Sequence, residues 1–262
     1  MQFENLDFDV QDGLARLTFN RPKAANSFNL DMTREFFEAA KICSEDSKIR
    51  AVLLTGTGRF FCAGGDLKSF AAAHDQVAKF VTETANTLHA AISKFARMNA
   101  PIVAAVNGPA AGAGMSVVCM TDIALAAESA VFSMAYTAAG LAPDGSSTYF
   151  LPRIVGMRRA RELMLTNRRL SAAEALALGI IERVVPDDDL MAEAEKIARA
   201  LANGPTLAFG AVKKLLLASQ TAQLEEQLDA ETSAIASMTT TQDGREGVLA
   251  FREKRAPNFK GA

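Results

Sequence analysis

Two glycine-rich turns have a composition that would allow chemistry on a ligand. The letters AGGD occupy residues 63–66, and GAG occupies residues 112–114. Small side chains let a ligand oxygen approach the backbone, and the first N–H groups of a helix attract negative charge. If Ala63 and Ala113 aim their amides at one point, they form a two-donor site for a thioester oxygen, where one donor is worth about 3 to 4 kcal/mol. The alternative is two ordinary turns in which glycine supplies an unusual backbone angle.

Each turn comes after an apolar run that predicts a buried strand, at residues 51–55 and 102–106. A helix is expected from about residue 112, and residues 69–81 are expected to form a loop. The other predicted elements are strands at 13–19, 122–126, 131–134 and 182–185, a helix capped by Asn29 or Asp31, and helices at 82–98, 171–179, 190–201, 205–218, 224–238 and 245–254. The alternation of strands and helices indicates an α/β core followed by a helical tail.

The composition argues against several classes of protein. A chain of 262 residues, 49% of them hydrophobic, can bury a substantial core, and a net charge of -2 argues against a nucleic-acid partner. No apolar run is long enough to span a membrane and the first residues lack a signal pattern, so we expect a cytoplasmic protein without a membrane partner. The three cysteines and two histidines are scattered, which predicts free thiols and no metal site.

Four motifs occur in the order and with the spacing of the crotonase superfamily, also called the enoyl-CoA hydratase/isomerase family. They are NRPKAANS at residues 20–27, FCAGGDL at 61–67, PIVAAVNGPAAGAG at 101–114, and EGVLAFREKR at 246–255. The sequence thus resembles this family over nearly its whole length. The resemblance implies an α/β spiral of repeated ββα units over residues 1–200. It also implies a C-terminal helical region, 201–262, that assembles homotrimers, often paired into hexamers.

The resemblance also implies what the site binds. The substrate is expected to be an acyl-CoA thioester, with its oxygen held by Ala63 and Ala113 and with no cofactor apart from the coenzyme A of the substrate. Residues expected to contact coenzyme A are Lys23, Ala25, Asp66, Leu67 and, from the tail of what is commonly a neighbouring subunit, Phe251 and Lys254.

The sequence departs from the hydratases of this family at the positions of their two glutamates. One glutamate lies two residues after Gly114 and the other four residues before Gly140, where this chain has Ser116 and Tyr136. Addition of water to a double bond needs groups that deprotonate water and supply a proton to carbon, and neither residue is a carboxylate. A standard hydratase is therefore not expected, and a relative with weak or lost hydratase activity is one alternative.

One carboxylate remains in this region, that of Asp144. Its position matches the aspartate that ring-type enoyl-CoA isomerases of phenylacetate breakdown use as their acid/base. A single carboxylate suits isomerisation, because it removes a proton from one carbon and returns it to another. We expect Asp144 to be buried among Phe132, Met134 and Leu141. The alternative is that residues 143–145 form a turn in which Asp144 caps the following helix.

A second comparison within the superfamily concerns residues 153–168, which look like the corresponding stretch of 4-chlorobenzoyl-CoA dehalogenase. In that enzyme an aspartate attacks the ring and a histidine activates water to hydrolyse the resulting ester. Asp144 and His89 fall at those two positions, whereas Tyr136 replaces a tryptophan. The sequence leaves three alternatives to an isomerase: a dehalogenase-like hydrolase, a hydratase relative, and a non-catalytic CoA-binding or RNA-binding relative.

Overall fold

The computed structural model describes residues 3–262 as nine strands and eleven helices. The strands are β1 (Leu6–Gln11), β2 (Leu14–Phe19), β3 (Ala51–Gly56), β4 (Ile102–Val106), β5 (Ala110–Ala111), β6 (Ile123–Ala127), β7 (Val131–Ser133), β8 (Leu170–Ser171) and β9 (Arg183–Val185). The helices are α1 (Leu30–Glu45), α2 (Leu67–Ala72), α3 (Val77–Arg97), α4 (Ala113–Met120), α5 (Ser147–Val155), α6 (Met157–Thr166), α7 (Ala172–Ala177), α8 (Leu190–Ala202), α9 (Thr206–Ala218), α10 (Leu224–Met238) and α11 (Gln242–Glu253).

The strands form two sheets. The larger has the order β1-β2-β3-β4-β6-β9, in which only the β1–β2 pair is antiparallel. The smaller has the order β5-β7-β8, and a bridge between Ala110 and Cys62 joins it to the stretch that follows β3. The units β4-β5-α4 and β6-β7-α5 each send one strand to each sheet before a helix, which is the predicted ββα repeat.

The central strands of the larger sheet are buried on both faces, which explains their apolar runs. Along β4, Ile102, Ala104 and Val106 belong to one core, whereas Val103 and Ala105 belong to the other. Successive side chains of a strand point to opposite faces, so both sets must be apolar when helices cover both sides. Helices α1 and α3 contribute to the first core and α8 to the second. This rigid sheet positions the loops that follow β3 and β4.

Most predicted elements are present, but residues 69–81 differ from the prediction, and β5, β8, α5 and α6 are not among the predicted elements. Asn29 rather than Asp31 caps α1, because its side chain accepts a hydrogen bond from the Met32 amide. Residues 69–81 are not a loop, since they contain most of α2, a short 3-10 turn and the beginning of α3. Strand β1 is not among the predicted strands. Its outward side chains include acids at an exposed sheet edge, so only its pairing with β2 defines it.

The C-terminal helices continue from the core. A part-exposed ion pair anchors α9, where the Lys213 ammonium donates to Asp122 at 2.8 Å and to the Phe95 and Ala100 carbonyls. Burial lowers the pKa of Lys213, opposed by the nearby charge of Asp122. Residues 1 and 2 of the predicted 1–200 core lie outside the described residues. Within residues 3–262 no helix has both the length and the apolarity needed to cross a membrane.

Candidate active site

The two glycine-rich turns lie against each other. The Ala111 amide donates to the Cys62 carbonyl at 2.9 Å, which places the stretch after β3 beside the stretch after β4. Gly64 has a φ of +99°, and a Cβ there would lie 2.8 Å from the Ala111 oxygen and 3.3 Å from the Ala113 nitrogen. Only glycine fits this contact, because a side chain would both strain the backbone and separate the turns.

The amide of Ala63 is not available to a ligand. It donates to the Ala25 carbonyl at 3.0 Å, so the prediction that Ala63 supplies an oxyanion donor is wrong. Among the described residues, the amide of Gly65 has no protein acceptor, and Ala113 begins α4 with its amide equally unpaired. The first amide of a helix lacks an internal acceptor and carries the positive end of the dipole. Gly65 and Ala113 therefore each offer an open donor, one from each turn.

Both turns open onto one cavity of about 350 Å³. Its walls are mostly apolar side chains from α3, the segment before α5 and the two turns. The lining residues are Phe28, Ala63, Gly65, Leu67, Phe70, Val81, Thr84, Ala85, Leu88, Gly112, Ala113, Ala135, Tyr136, Ala139, Leu141, Ala142 and Asp144. Asp144 is the one carboxylate among these residues. Two open backbone amides and one carboxylate thus face the same largely apolar cavity.

Asp144 lies in the turn before α5, and its carboxylate does not cap that helix. Ser146 occupies the N-cap position with a left-handed backbone and without a side-chain cap bond. The Asp144 main-chain carbonyl accepts from the Ser147 amide at 3.1 Å instead. The expected burial among apolar residues is also wrong, because 35% of the Asp144 side chain is exposed. Main-chain hydrogen bonds hold this turn, and the carboxylate is not needed for them. The carboxylate therefore remains accessible to a ligand.

Ser116 and Tyr136, at the two hydratase glutamate positions, contact each other. The Ser116 and Tyr136 hydroxyls are 2.9 Å apart, and each lies 3.2 Å from the Asp144 carbonyl oxygen. Ser116 also donates to the Gly112 carbonyl at 3.1 Å. Burial, and then the nearby Asp144 charge, raise the pKa of Tyr136 far above its ordinary value, so its phenol stays protonated. These hydroxyls fasten the Asp144 turn to α4.

His89 approaches Asp144 from α3. Its Nε2 lies 3.6 Å from the Asp144 Oδ2 and accepts a hydrogen bond from the Gly145 amide at 3.1 Å. An imidazole nitrogen that accepts an N–H carries no proton of its own. The side chain is 45% exposed and does not line the cavity shared by the amides. The structure therefore brings the predicted residue to Asp144 but on the far side from the oxyanion donors.

The residues expected along coenzyme A divide into two groups. Ala25 has a left-handed φ of 51° and bonds to Ala63, while Leu67 is 52% exposed at the cavity and Lys23 is exposed on the neighbouring turn. Asp66 is buried, accepts from Arg21 at 3.1 Å and from the Ser69 amide at 3.3 Å, and so caps α2. Burial alone would raise the pKa of Asp66, but the bonds from Arg21 and Ser69 outweigh it and lower the pKa. Asp66 thus connects Arg21 to the start of α2.

The predicted tail contacts lie away from this cavity within one chain. Phe251 is 87% exposed on α11, and Lys254 ends that helix in a left-handed conformation with a φ of 55°. Neither residue lines the cavity.

Within residues 3–262, no set of three histidine, cysteine, aspartate or glutamate side chains is arranged to bind a metal ion.

Three residues important to this geometry were not given a role from the sequence. Gly65 carries the open amide, and Gly145 lets the Asp144 turn approach Ser116, where an added Cβ would lie 3.1 Å from the serine Cβ. Asn26 is fully buried and bonds to the Arg21 amide and to the Thr57 and Phe60 carbonyls. The glycines and the asparagine in these turns were visible signals, but which amide stays open depends on how the turns align.

The sequence is similar to those of known proteins over nearly its whole length. The profile of the enoyl-CoA hydratase/isomerase family matches residues 9–262. The chain belongs to this family. It is 40% identical to the 1,2-epoxyphenylacetyl-CoA isomerase of Escherichia coli, over 96% of this chain and 97% of that protein. It is 35% identical to 4-chlorobenzoyl coenzyme A dehalogenase-2 of an Arthrobacter species, over 95% of this chain and 91% of that protein.

A solved structure of the same family has the same fold. The enoyl-CoA hydratase of Bacillus anthracis superimposes with a TM-score of 0.92 at 32% identity, over 99% of this chain and 100% of that chain. The protein is therefore a crotonase-type α/β protein, as the sequence predicted. Membership of the enoyl-CoA hydratase/isomerase family covers several reactions, so the side chains beside the oxyanion donors must distinguish among them.

Proposed function

We propose that this protein is an acyl-CoA isomerase that shifts a double bond or rearranges a ring in a coenzyme A thioester. The Gly65 and Ala113 amides bind the thioester oxygen and stabilise the enolate that forms when a proton leaves the neighbouring carbon. Asp144 removes that proton and returns it to a different carbon. The proposed reaction uses no separate cofactor, and the coenzyme A is part of the substrate.

The observation that carries this proposal is the pairing of Ser116 with Tyr136. The two hydroxyl oxygens lie 2.9 Å apart, and each lies within hydrogen-bond distance of the Asp144 carbonyl, at 3.2 Å. Neither can deprotonate a water molecule, since a buried phenol with a raised pKa and a serine hydroxyl are acids far too weak to supply a base at neutral pH. The cavity then contains one acid/base, Asp144, which is sufficient for isomerisation.

The similarity to the Escherichia coli 1,2-epoxyphenylacetyl-CoA isomerase supports the same choice. It also suggests an acyl group with an aromatic or ring-derived body, in keeping with the apolar walls formed by Phe28, Phe70 and Leu88. Apolar and aromatic walls bind such groups without a specific polar partner.

The test is to offer three thioesters to the purified protein: 1,2-epoxyphenylacetyl-CoA, 3-hexenoyl-CoA and 2-hexenoyl-CoA. Products are separated by liquid chromatography and identified by mass. An isomerase gives products of unchanged mass from at least one thioester. A product heavier by one water, formed faster than any isomer, would instead identify a hydratase. Binding of all three without conversion would identify a non-catalytic relative.

A second candidate function is hydrolytic dehalogenation, favoured by the 3.6 Å separation of His89 Nε2 and Asp144 Oδ2. In this reaction Asp144 attacks a ring carbon that carries chlorine, and chloride leaves. His89 then activates water to hydrolyse the aryl ester. Chloride release from 4-chlorobenzoyl-CoA, measured with an ion-selective electrode, would establish this reaction. The Arthrobacter dehalogenase is the appropriate positive control.

We further propose that residues 201–262 assemble the protein into a trimer or a pair of trimers. Large apolar side chains are exposed on these helices: Val212 54%, Leu216 63%, Leu224 67%, Leu228 51%, Ile235 70%, Val248 69% and Phe251 87%. Exposed apolar surface of this extent is typical of an interface. In such an assembly Phe251 and Lys254 contact the coenzyme A of a neighbouring subunit. Light scattering gives the subunit number, and Lys254→Ala should raise the KM for the thioester without lowering kcat.

A further inference from the structure

Asp144 is the boundary between two cavities. On one side lies the cavity of about 350 Å³ that contains the open amides of Gly65 and Ala113. On the other lies an open cavity of about 980 Å³ between α3, α5 and α9, and Asp144 lines both. His89 lines only the larger cavity. The carboxylate therefore has one side toward the expected substrate and another toward solvent.

On its solvent side, Asp144 has one neighbour able to accept a proton. Among the residues lining the larger cavity, His89 is the one imidazole, and Asp144 itself is the one carboxylate. The two cations in that lining, Arg97 and Lys214, donate to Ser93 and Asn99 and offer no lone pair. The His89 Nε2 carries no proton, because it accepts the Gly145 N–H at 3.1 Å.

The contact between the two side chains suits exchange of a proton. The 3.6 Å from Nε2 to Oδ2 is slightly longer than a direct hydrogen bond, and both groups are part-exposed, at 45% and 35%. A small side-chain rotation, or one water molecule in the open cavity, closes this gap.

We propose that His89 is a relay that exchanges the proton held by Asp144 with solvent. The inference rests on the proposed isomerase function. When Asp144 has taken a proton from the substrate, its O–H bond breaks and an N–H bond forms at His89 Nε2, which releases the Gly145 amide. The imidazolium then loses its Nδ1 proton to water. Reversal of these steps brings a solvent proton to Asp144, which delivers it to the enolate.

The relay competes with direct return of the original proton. Each turnover therefore ends either with the substrate's own proton on the new carbon or with one from solvent. In deuterium oxide the second outcome labels the product, so deuterium per product molecule measures how often the proton on Asp144 exchanges with solvent before it returns. Variants of His89 then show how much of this exchange passes through the imidazole. A residue that merely supports the turn would change the rate but not this ratio.

The experiment uses 3-hexenoyl-CoA in deuterium oxide and measures deuterium in the product by mass spectrometry at low conversion. His89→Gln retains an oxygen that can accept the Gly145 amide but cannot carry a proton between Asp144 and water, and His89→Ala removes both functions. We expect both variants to lower deuterium incorporation per turnover by at least about fivefold. Ser93→Ala, one turn along α3 in the same cavity lining, is the matched control and should leave the ratio unchanged.

Two results would overturn the relay. If His89→Gln isomerises the thioester with wild-type incorporation, His89 at most positions the turn through Gly145. If wild-type product contains no deuterium, the proton always returns directly. Absence of any isomer from all three thioesters tested above would contradict the proposed function itself, and the relay with it. Isomer formation with an unchanged ratio contradicts the relay alone.

Discussion

The two halves of the candidate site are built from different parts of the protein. The half formed by residues 63–66 and 112–114 offers main-chain amides, and small residues hold it in place. The half formed by residues 143–146 offers one side chain, and the hydroxyls of Ser116 and Tyr136 fasten its main chain. Almost any residue can supply a main-chain amide, so an oxyanion site depends on backbone conformation. Acid/base chemistry instead requires a particular side chain. In the proposed reaction, the first half therefore binds the thioester oxygen and the second half carries out the proton transfer.

The halves also differ in how tightly they are packed. An added Cβ on Gly64 would meet the Ala111 oxygen at 2.8 Å, whereas 35% of the Asp144 side chain is exposed. A tightly packed pair of turns can hold its donors without reorganisation, which is what stabilisation of an oxyanion requires. A part-exposed carboxylate can move and exchange protons. Substitutions in the two halves should therefore lower activity for different reasons.

The largest effect is expected for Asp144→Asn. The amide has nearly the same shape but cannot accept a proton, so kcat for isomerisation should fall by about 10² to 10⁴ while KM stays near the wild-type value. Steady-state kinetics and calorimetric binding of the thioester measure the two quantities. Asp188→Asn, at an exposed aspartate far along the chain, controls for loss of surface charge. Undiminished turnover would remove Asp144 from the proposal.

Gly64→Ala should damage the amide half instead. Its Cβ pushes against Ala111 and Ala113, so the two turns separate and one donor is misplaced. Loss of one donor corresponds to a decrease in kcat of about 10² to 10³. Gly179→Ala is the matched control, because Gly179 also has a positive φ of 75° but has no atom within 4 Å of the added Cβ. The control should lose stability and keep its activity. Equal kcat values for Gly64→Ala and Gly179→Ala would show that activity does not depend on close contact between the two turns.

Much of the fold was predictable from the sequence because the central strands of the larger sheet are buried on both faces. Continuous apolar runs such as residues 51–56 and 102–106 identify central parallel strands without knowledge of their neighbours. The Ser171–Glu174 capping box is equally local, and the structure contains it. Residues 69–81 were mistaken for a loop, because α2 is only six residues long and its polar and apolar positions show little periodicity.

The site was predictable as far as the family motifs carried it. The sequence directed attention to both turns and to Asp144, yet it assigned the first donor to Ala63 rather than Gly65. The error arose because the bond from Ala63 to Ala25 joins segments 38 positions apart in the sequence. The contact of Ser116 with Tyr136 and their shared acceptor at Asp144 likewise depend on three separated segments. No local pattern contains such information.

A third change tests how the amide half is held together. Asp66→Asn retains a cap for α2 but loses the ion pair with Arg21, which is 17% exposed. At pH 7 the free energy of unfolding should fall by about 1 to 3 kcal/mol, because Arg21 keeps a part-buried charge without its partner. Urea denaturation measures this difference.

The same variant has a defined pH dependence. The pKa of Asp66 is lowered from its ordinary value of 3.8 in the folded state. Its contribution to stability is therefore present above 3.8 and is lost as the pH falls through the folded-state pKa. The stability difference between wild type and Asp66→Asn should shrink on acidification below that value. A difference that stays constant from pH 7 to pH 3 would show that Asp66 is not held as a charged partner of Arg21.

The smallest effect is expected for Tyr136→Phe, and its size decides whether the second half contains one reacting group or two. The variant loses the hydroxyl that bonds to Ser116 at 2.9 Å and to the Asp144 carbonyl at 3.2 Å. One hydrogen bond of this kind is worth about 1 kcal/mol, so kcat should fall about fivefold with KM unchanged. In this variant the Ser116 hydroxyl can still donate to the Gly112 or the Asp144 carbonyl. Ser116→Ala removes the other hydroxyl of the same pair and should cost a similar amount, and the double variant should cost less than the sum. A thousandfold loss for Tyr136→Phe alone would instead mean that the phenol takes part in proton transfer, and Asp144 would not be the only acid/base of the site.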